Sequence, residues 1–144
     1  MVMRIMGIDY GDKRIGIAVS DSFGWTAQGV ETVVRSYDMT NTMDRIKQLV
    51  KEYNVDKIVV GFPINMNGTI GPRGEKTIEF IESLKKQLKD IDVVKWDERL
   101  STVAAQRTMH EIGIKTSRKK SIVDQIAASY ILQSYLDNIR INEV

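Results

Sequence analysis

Apolar and polar positions alternate with a period of two at the start of the chain and of about 3.6 further on. Met3–Asp9 reads as a first strand, with Ile5 and Ile8 apolar. Arg14–Ser20 reads as a second, in which Ile15, Ile17 and Val19 share one face. Tyr10–Lys13 joins them, and Gly11 supplies the backbone freedom of a tight turn. Gly24–Ala27 reads as a loop and Gly29–Arg35 as a third strand, so short connections predict an antiparallel meander. Asn41–Asn54 carries Met43, Ile46, Leu49, Val50 and Tyr53 on one helical face. Lys57–Phe62 is a continuous apolar run, as expected of a strand covered on both faces. Pro63–Gly74 is a long loop rich in turn formers. Glu75–Lys89 is a helix with Ile78, Ile81, Leu84 and Leu88 in phase, and Ile91–Trp96 is a fifth strand. Ser101 can cap a helix that runs to Ile112, where Gly113 suits its end. Ser121–Ile139 is the last helix, with an inward face of Ile122, Ile126, Ser129 or Tyr130, and Leu132 or Gln133.

The order βββαβαβαα predicts an α/β protein with a mixed five-stranded sheet and helices on its faces. The first, fourth and fifth strands form the parallel set. Ligand sites in such sheets favour the carboxyl ends of parallel strands. Asp9, the loop after Phe62, and Asp97–Glu98 all lie at those ends. The 144 residues, 42% of them hydrophobic, suffice for one core, and no repeat or linker divides them. One domain over residues 1–144 is expected.

The chemistry begins with Asp9. Strand interiors are poor in Asp because a buried ion is costly to desolvate. Asp9 either caps the turn through its own backbone or answers to a cation, N–H donors or a metal. Asp97–Glu98 and Asp124 stand in comparable places, ending or opening regular elements. Acids so placed can meet at one edge of a sheet and hold a hard cation. The blander alternatives are a solvated Asp97 or Glu98 paired with Arg99, and an Asp124 that serves only a helix start capped by Ser121. As a cap partner Asp124 would stabilise the helix by on the order of 0.5–1 kcal/mol. As a ligand beside other acids it would repel them, and Asp124→Asn would leave the metal-free fold as stable or more so.

Other residues narrow the possibilities. The absence of cysteine excludes disulfides, zinc–thiolate sites and thiol nucleophiles. His110, the single histidine, lies in a helical stretch without a nucleophile elbow. A metal must then be held by oxygen, which favours Mg²⁺ or Mn²⁺. Net charge is only +2, but Ile114–Lys120 gathers Lys115, Arg118, Lys119 and Lys120 without an acid, and Arg99 and Arg107 lie upstream. Such a run is a solvated loop, or a phosphate-binding one if an acidic metal site lies beside it. No run is long enough to span a membrane, and Arg4 and Asp9 interrupt any signal-like start, so a cytoplasmic protein without membrane partners is expected.

Four segments carry a resemblance: GIDYGDKRIGIAVSD at Gly7–Asp21, VVGFPINMNGTIG at Val59–Gly71, WDERLST at Trp96–Thr102 and RKKSIVDQIAASYIL at Arg118–Leu132. In this order, over nearly the whole chain, they resemble the YqgF/RuvX family of Holliday-junction resolvases and pre-16S ribosomal RNA nucleases. The resemblance implies an RNase H-like fold and a catalytic, metal-holding cluster of Asp9, Glu98 and Asp124, with Glu98 favoured over Asp97. In such nucleases two ions ~3.5–4 Å apart activate water and stabilise the departing oxygen. The implied function is metal-dependent cleavage of structured nucleic acid, an RNA precursor or branched DNA. Lys115, Arg118, Lys119, Lys120 and Arg99 would hold its phosphates, and a junction resolvase would work as a homodimer. Two other readings compete. One is a non-catalytic RNA-binding ribosome-assembly factor. The other is a phosphate-loop ATPase-type domain, because Asp9–Gly16 also fits D-x-G-x-x-x-x-G. That short motif normally works in paired lobes, and nucleotide-dependent thermal stabilisation would reveal it.

Overall fold

Alternation along the first residues produces the meander it predicts. A computed structural model describes residues 3–100 and 117–142. Strands β1 (Arg4–Tyr10), β2 (Arg14–Ser20) and β3 (Ala27–Val34) pair antiparallel in succession. Helix α1 (Thr40–Glu52) leads to β4 (Val55–Phe62), and α2 (Pro72–Gln87) leads to β5 (Asp92–Asp97). Pro72 opens α2, where its missing N–H costs nothing. A single 3₁₀ turn, Glu98–Leu100, follows β5, and the last described element is α3 (Ser117–Asn142). The helix expected between Ser101 and Ile112 lies outside the described residues, as do His110 and Lys115.

The strand order is β3-β2-β1-β4-β5. β4 pairs parallel with both β1 and β5, so the parallel set is the expected one. Period two divides the sheet's side chains cleanly. Met6, Ile8, Ile15, Ile17, Ile58 and Val60 face α1 and α2 in one apolar cluster. Ala18 and Val59 face α3, in a second cluster with Ala127, Ala128, Ile131, Leu132 and Leu136.

Two expectations for the last helix are corrected. It begins at Ser117 rather than Ser121, so the basic segment Ser117–Lys120 is helical and Ser121 lies within the helix rather than at its start. Its buried face is Val123, Ala127, Ala128, Ile131, Leu132, Tyr135 and Leu136, while Ile122 is half exposed. In so apolar a helix hydrophobicity alone does not choose the phase; backbone proximity does. Glycines in the strands let α3 come close. A Cβ on Gly7 would fall 2.6 Å from Leu132 Cβ, one on Gly29 2.8 Å from Gln125 Cβ, and one on Gly61 2.4 Å from Ile131 Cδ1. At Gly16 the obstacle is main chain, the Asp124 carbonyl oxygen at 2.0 Å.

This contact is open to a direct test. Gly16→Ala must displace α3 or distort β2 and should cost about 2 kcal/mol or more, as overpacking does. Gly24, with φ 73° and nothing within 4 Å, is the control. Gly24→Ala should cost about 1 kcal/mol, from backbone conformation alone. Urea melts of the two variants give the comparison.

Candidate active site

The α3 side of the sheet collects the acids. Along β1, Ile5, Gly7 and Asp9 alternate toward α3, and Asp9 is 3% exposed. Asp9 sits opposite Gly16 in the β1–β2 ladder. The main chain of Asp124 packs on that glycine, so one close contact brings Asp124 beside Asp9. Both carboxylates line a cavity of about 320 Å³, together with Gly11, Asp12, Lys13, Arg14 and Arg73. Arg14 shares the α3 side of β2 with Gly16 and Ala18. Its Nε donates to Asp124 Oδ2 at 2.7 Å.

Glu98 approaches the same side from the turn that follows β5, at the far edge of the sheet. Gly61 lies opposite Trp96 on β5, and Glu98 Oε1 is 2.9 Å from where a Cβ on Gly61 would stand. Thus a side chain at position 61 would block Glu98 as well as Ile131. Glu98 does not line the cavity that Asp9 and Asp124 share. Among the described residues no three Asp, Glu or His side chains converge into a metal-binding group. The structure brings Asp9 and Asp124 together and leaves Glu98 in the turn after β5, two strands away from β1.

Asp97 has a different task. Strand β5 ends there and the chain turns at Glu98, so the two acids part by a change of backbone rather than by strand alternation. Asp97 accepts from the Arg99 backbone N–H at 2.9 Å and from its guanidinium, Nη2 to Oδ2, at 2.9 Å. The Arg99 hydrogen bonds hold the Asp97 carboxyl below its ordinary range. Arg99, expected to bind phosphate, is therefore engaged within its own turn.

The capping alternative for Asp124 falls with the helix boundary, because Asp124 lies beyond the first turn of α3. Repulsion among the acids, from which an unaltered or more stable metal-free Asp124→Asn was expected, is offset by Arg14. The sequence reading missed Lys13, Arg14 and Arg73 as members of the site. The signal for Arg14 was available: it lies two residues from Gly16, on the side of β2 that Ile15, Ile17 and Val19 do not use.

The residues present suit a hard divalent cation. Asp9 and Asp124 offer only oxygen, one of them buried, which matches the preference of Mg²⁺ or Mn²⁺ for one or two carboxylates plus water and phosphate. Lys13, Arg14 and Arg73 add the positive charge that a phosphodiester requires.

Comparison with solved structures defines the class. RuvC of T. thermophilus, in complex with a Holliday junction substrate, superposes with a TM-score of 0.62 at 13% identity, covering 97% of this chain and 96% of that one. The fowlpox virus Holliday junction resolvase gives 0.52 at 21% identity, covering 95% and 99%. The fold is therefore the RNase H-like fold of the resolvases. The family model RuvX, described as Holliday junction resolvase, matches residues 3–138, and the chain belongs to that family. A relative from Acetivibrio thermocellus, provisionally named a pre-16S rRNA nuclease, is 63% identical over 136 residues, 94% of this chain and 96% of its own. One from Ruminiclostridium cellulolyticum, with the same name, is 54% identical over 141 residues, 98% and 99% of the two chains. No described helix is long and apolar enough to cross a membrane.

The division of labour at the end of β5 predicts different outcomes for adjacent acids. Asp97→Asn should keep nuclease activity within a few-fold and be less stable than wild type near neutral pH, the difference closing on the acid side. The Asp97–Arg99 contribution is complete above the ordinary carboxylate range and disappears as pH falls through the lowered Asp97 pKa. Glu98→Gln should lose most activity with little change in melting temperature. Melting profiles from pH 3 to 7, with parallel cleavage rates, separate the two.

Proposed function

We propose that this chain is a divalent-metal-dependent nuclease that cleaves phosphodiester bonds in structured nucleic acid. The substrates this reading favours are the 5′ end of pre-16S ribosomal RNA, by the names of its relatives, and Holliday junctions, by the description of its family. The observation that carries it is the single cavity in which Asp9 and Asp124 stand beside Lys13, Arg14 and Arg73. Carboxylates alone would repel a phosphate. Cations alone would bind it without chemistry. Together they fit a phosphodiester and the ion that serves its hydrolysis.

Asp9 and Asp124 would hold Mg²⁺ or Mn²⁺, with Glu98 reaching the same sheet edge from the end of β5. Bound there, the ion supplies activation of a water and stabilisation of the leaving oxygen. The protein's own part is placement. Asp9 is fixed by the β1–β2 ladder, and Asp124 by its main-chain contact with Gly16. Lys13 in the turn and Arg73 in the first turn of α2 flank them and would orient the phosphate. The basic residues Lys115, Arg118, Lys119 and Lys120 would extend the grip along the backbone. Resolution of a junction needs two cuts and hence a homodimer, whereas trimming an RNA end needs one site.

Cleavage of a four-way DNA junction and of a pre-16S RNA 5′ end, each with Mg²⁺ or Mn²⁺, tests the reading. Asp9→Asn keeps the shape of the side chain and removes its charge. It should abolish cleavage of both substrates while the melting temperature of the metal-free protein changes little; full activity at saturating Mg²⁺ would falsify Asp9 as a ligand. Replacing Lys119 and Lys120 together by Ala should weaken binding to all sequences alike. The dependence of log affinity on log salt should flatten by roughly one unit per lost phosphate contact. An unchanged slope in filter binding removes these lysines from the interface.

A further inference from the structure

Arg14 occupies the position of a cation at Asp124. Its Nε lies 2.7 Å from Asp124 Oδ2, and the two side chains are only 34% and 17% exposed. Neither is a freely solvated surface group, so the pair is more persistent than an exposed ion pair. Asp9 is buried in the same cavity. Two carboxylates confined together need compensating charge, and a guanidinium hydrogen-bonded to one of them supplies it. An arriving divalent ion would meet a guanidinium already bonded to that carboxylate, and two cations at such short range repel. Guanidinium and metal therefore compete for Asp124.

We infer that Arg14 is a resident counterion of the nuclease site. It holds Asp124 in place while the divalent ion is absent and yields that oxygen when the ion binds. Its guanidinium then turns to the substrate phosphate, at the cavity it already shares with Lys13 and Arg73. This inference rests on the nuclease reading above. Main-chain contact at Gly16 keeps Asp124 from following Arg14 outward, so the exchange is a side-chain movement on a fixed frame. It has a thermodynamic consequence. A phosphate gives Arg14 another partner, so nucleic acid should raise the affinity for metal, and metal should raise the affinity for nucleic acid by the same factor.

The test is Mn²⁺ binding to the full chain without nucleic acid, followed by the paramagnetic resonance signal of the free ion. Wild type, Arg14→Gln and Asp9→Asn are compared at one ionic strength. Arg14→Gln should bind Mn²⁺ about tenfold tighter, a typical coupling between linked sites. Its metal-free melting temperature should fall and be largely restored by Mn²⁺. An affinity equal to or weaker than wild type overturns the inference. If Asp9→Asn abolishes Mn²⁺ binding while Arg14→Gln leaves it unchanged, the site stands and the counterion role fails. If wild type does not bind Mn²⁺, or Asp9→Asn binds it as well as wild type, the site reading fails and this one with it. Should Arg14→Gln not fold, the wild-type protein suffices. The Arg14 Nε–H resonance, slow to exchange in the metal-free state, should exchange faster on addition of Mg²⁺; an unchanged rate overturns the inference.

Discussion

Everything at this site depends on how closely one helix can lie on one sheet. The closest point is Gly16, where only a hydrogen fits beneath the Asp124 carbonyl. Gly7, Gly29 and Gly61 repeat the arrangement under Leu132, Gln125 and Ile131. Glycine weakens a strand interior, because it adds backbone entropy and offers no side chain to pack. Here the loss is offset by apolar contact between α3 and strands β1, β2 and β4. Small residues on both partners, Ala127 and Ala128 above and glycines below, allow a separation that Leu or Val would forbid.

The same closeness sets the chemistry. Asp9 and Gly16 are ladder partners, so whatever packs on Gly16 lies next to the Asp9 carboxylate. What packs there is the backbone of an acidic residue, which leaves that residue little freedom to move. Side-chain charges on flexible stems adjust to such a fixed pair. Arg14 reaches it from β2, and Arg73 borders the same cavity from α2. Rigid acids and cations on longer stems make a sensible partition for the proposed nuclease site.

Much of this was legible from the residues. The alternation of Ile15, Ile17 and Val19 and the run KIVVGF placed the strands, because a sheet covered on both sides leaves strong periodic signatures. Asp9 stood out as an acid at a strand end. The phase and start of α3 were not legible: Ile122 and Ile126 are as apolar as Ile131 and Leu132, and only close approach to glycine distinguishes them. Isolated glycines within strand patterns were the missed clue, since they mark close backbone contact. Arg14 was obscured for a related reason. Its partner is 110 residues away, and no local pattern reveals a pairing at that distance.

That separation also orders events in time. A ribosome releases the N-terminal meander and its acid early, while the helix that completes the cavity comes late. Until α3 docks, the glycine-lined side of the sheet lacks that helix, and Asp9 has the cations of Lys13, Arg14 and Arg73 in the chain already made but not its acidic neighbour Asp124. Long-range closure of this kind is slow compared with local hairpin formation. A nascent or truncated chain that lacks α3 thus carries Asp9 without the acid that shares its cavity.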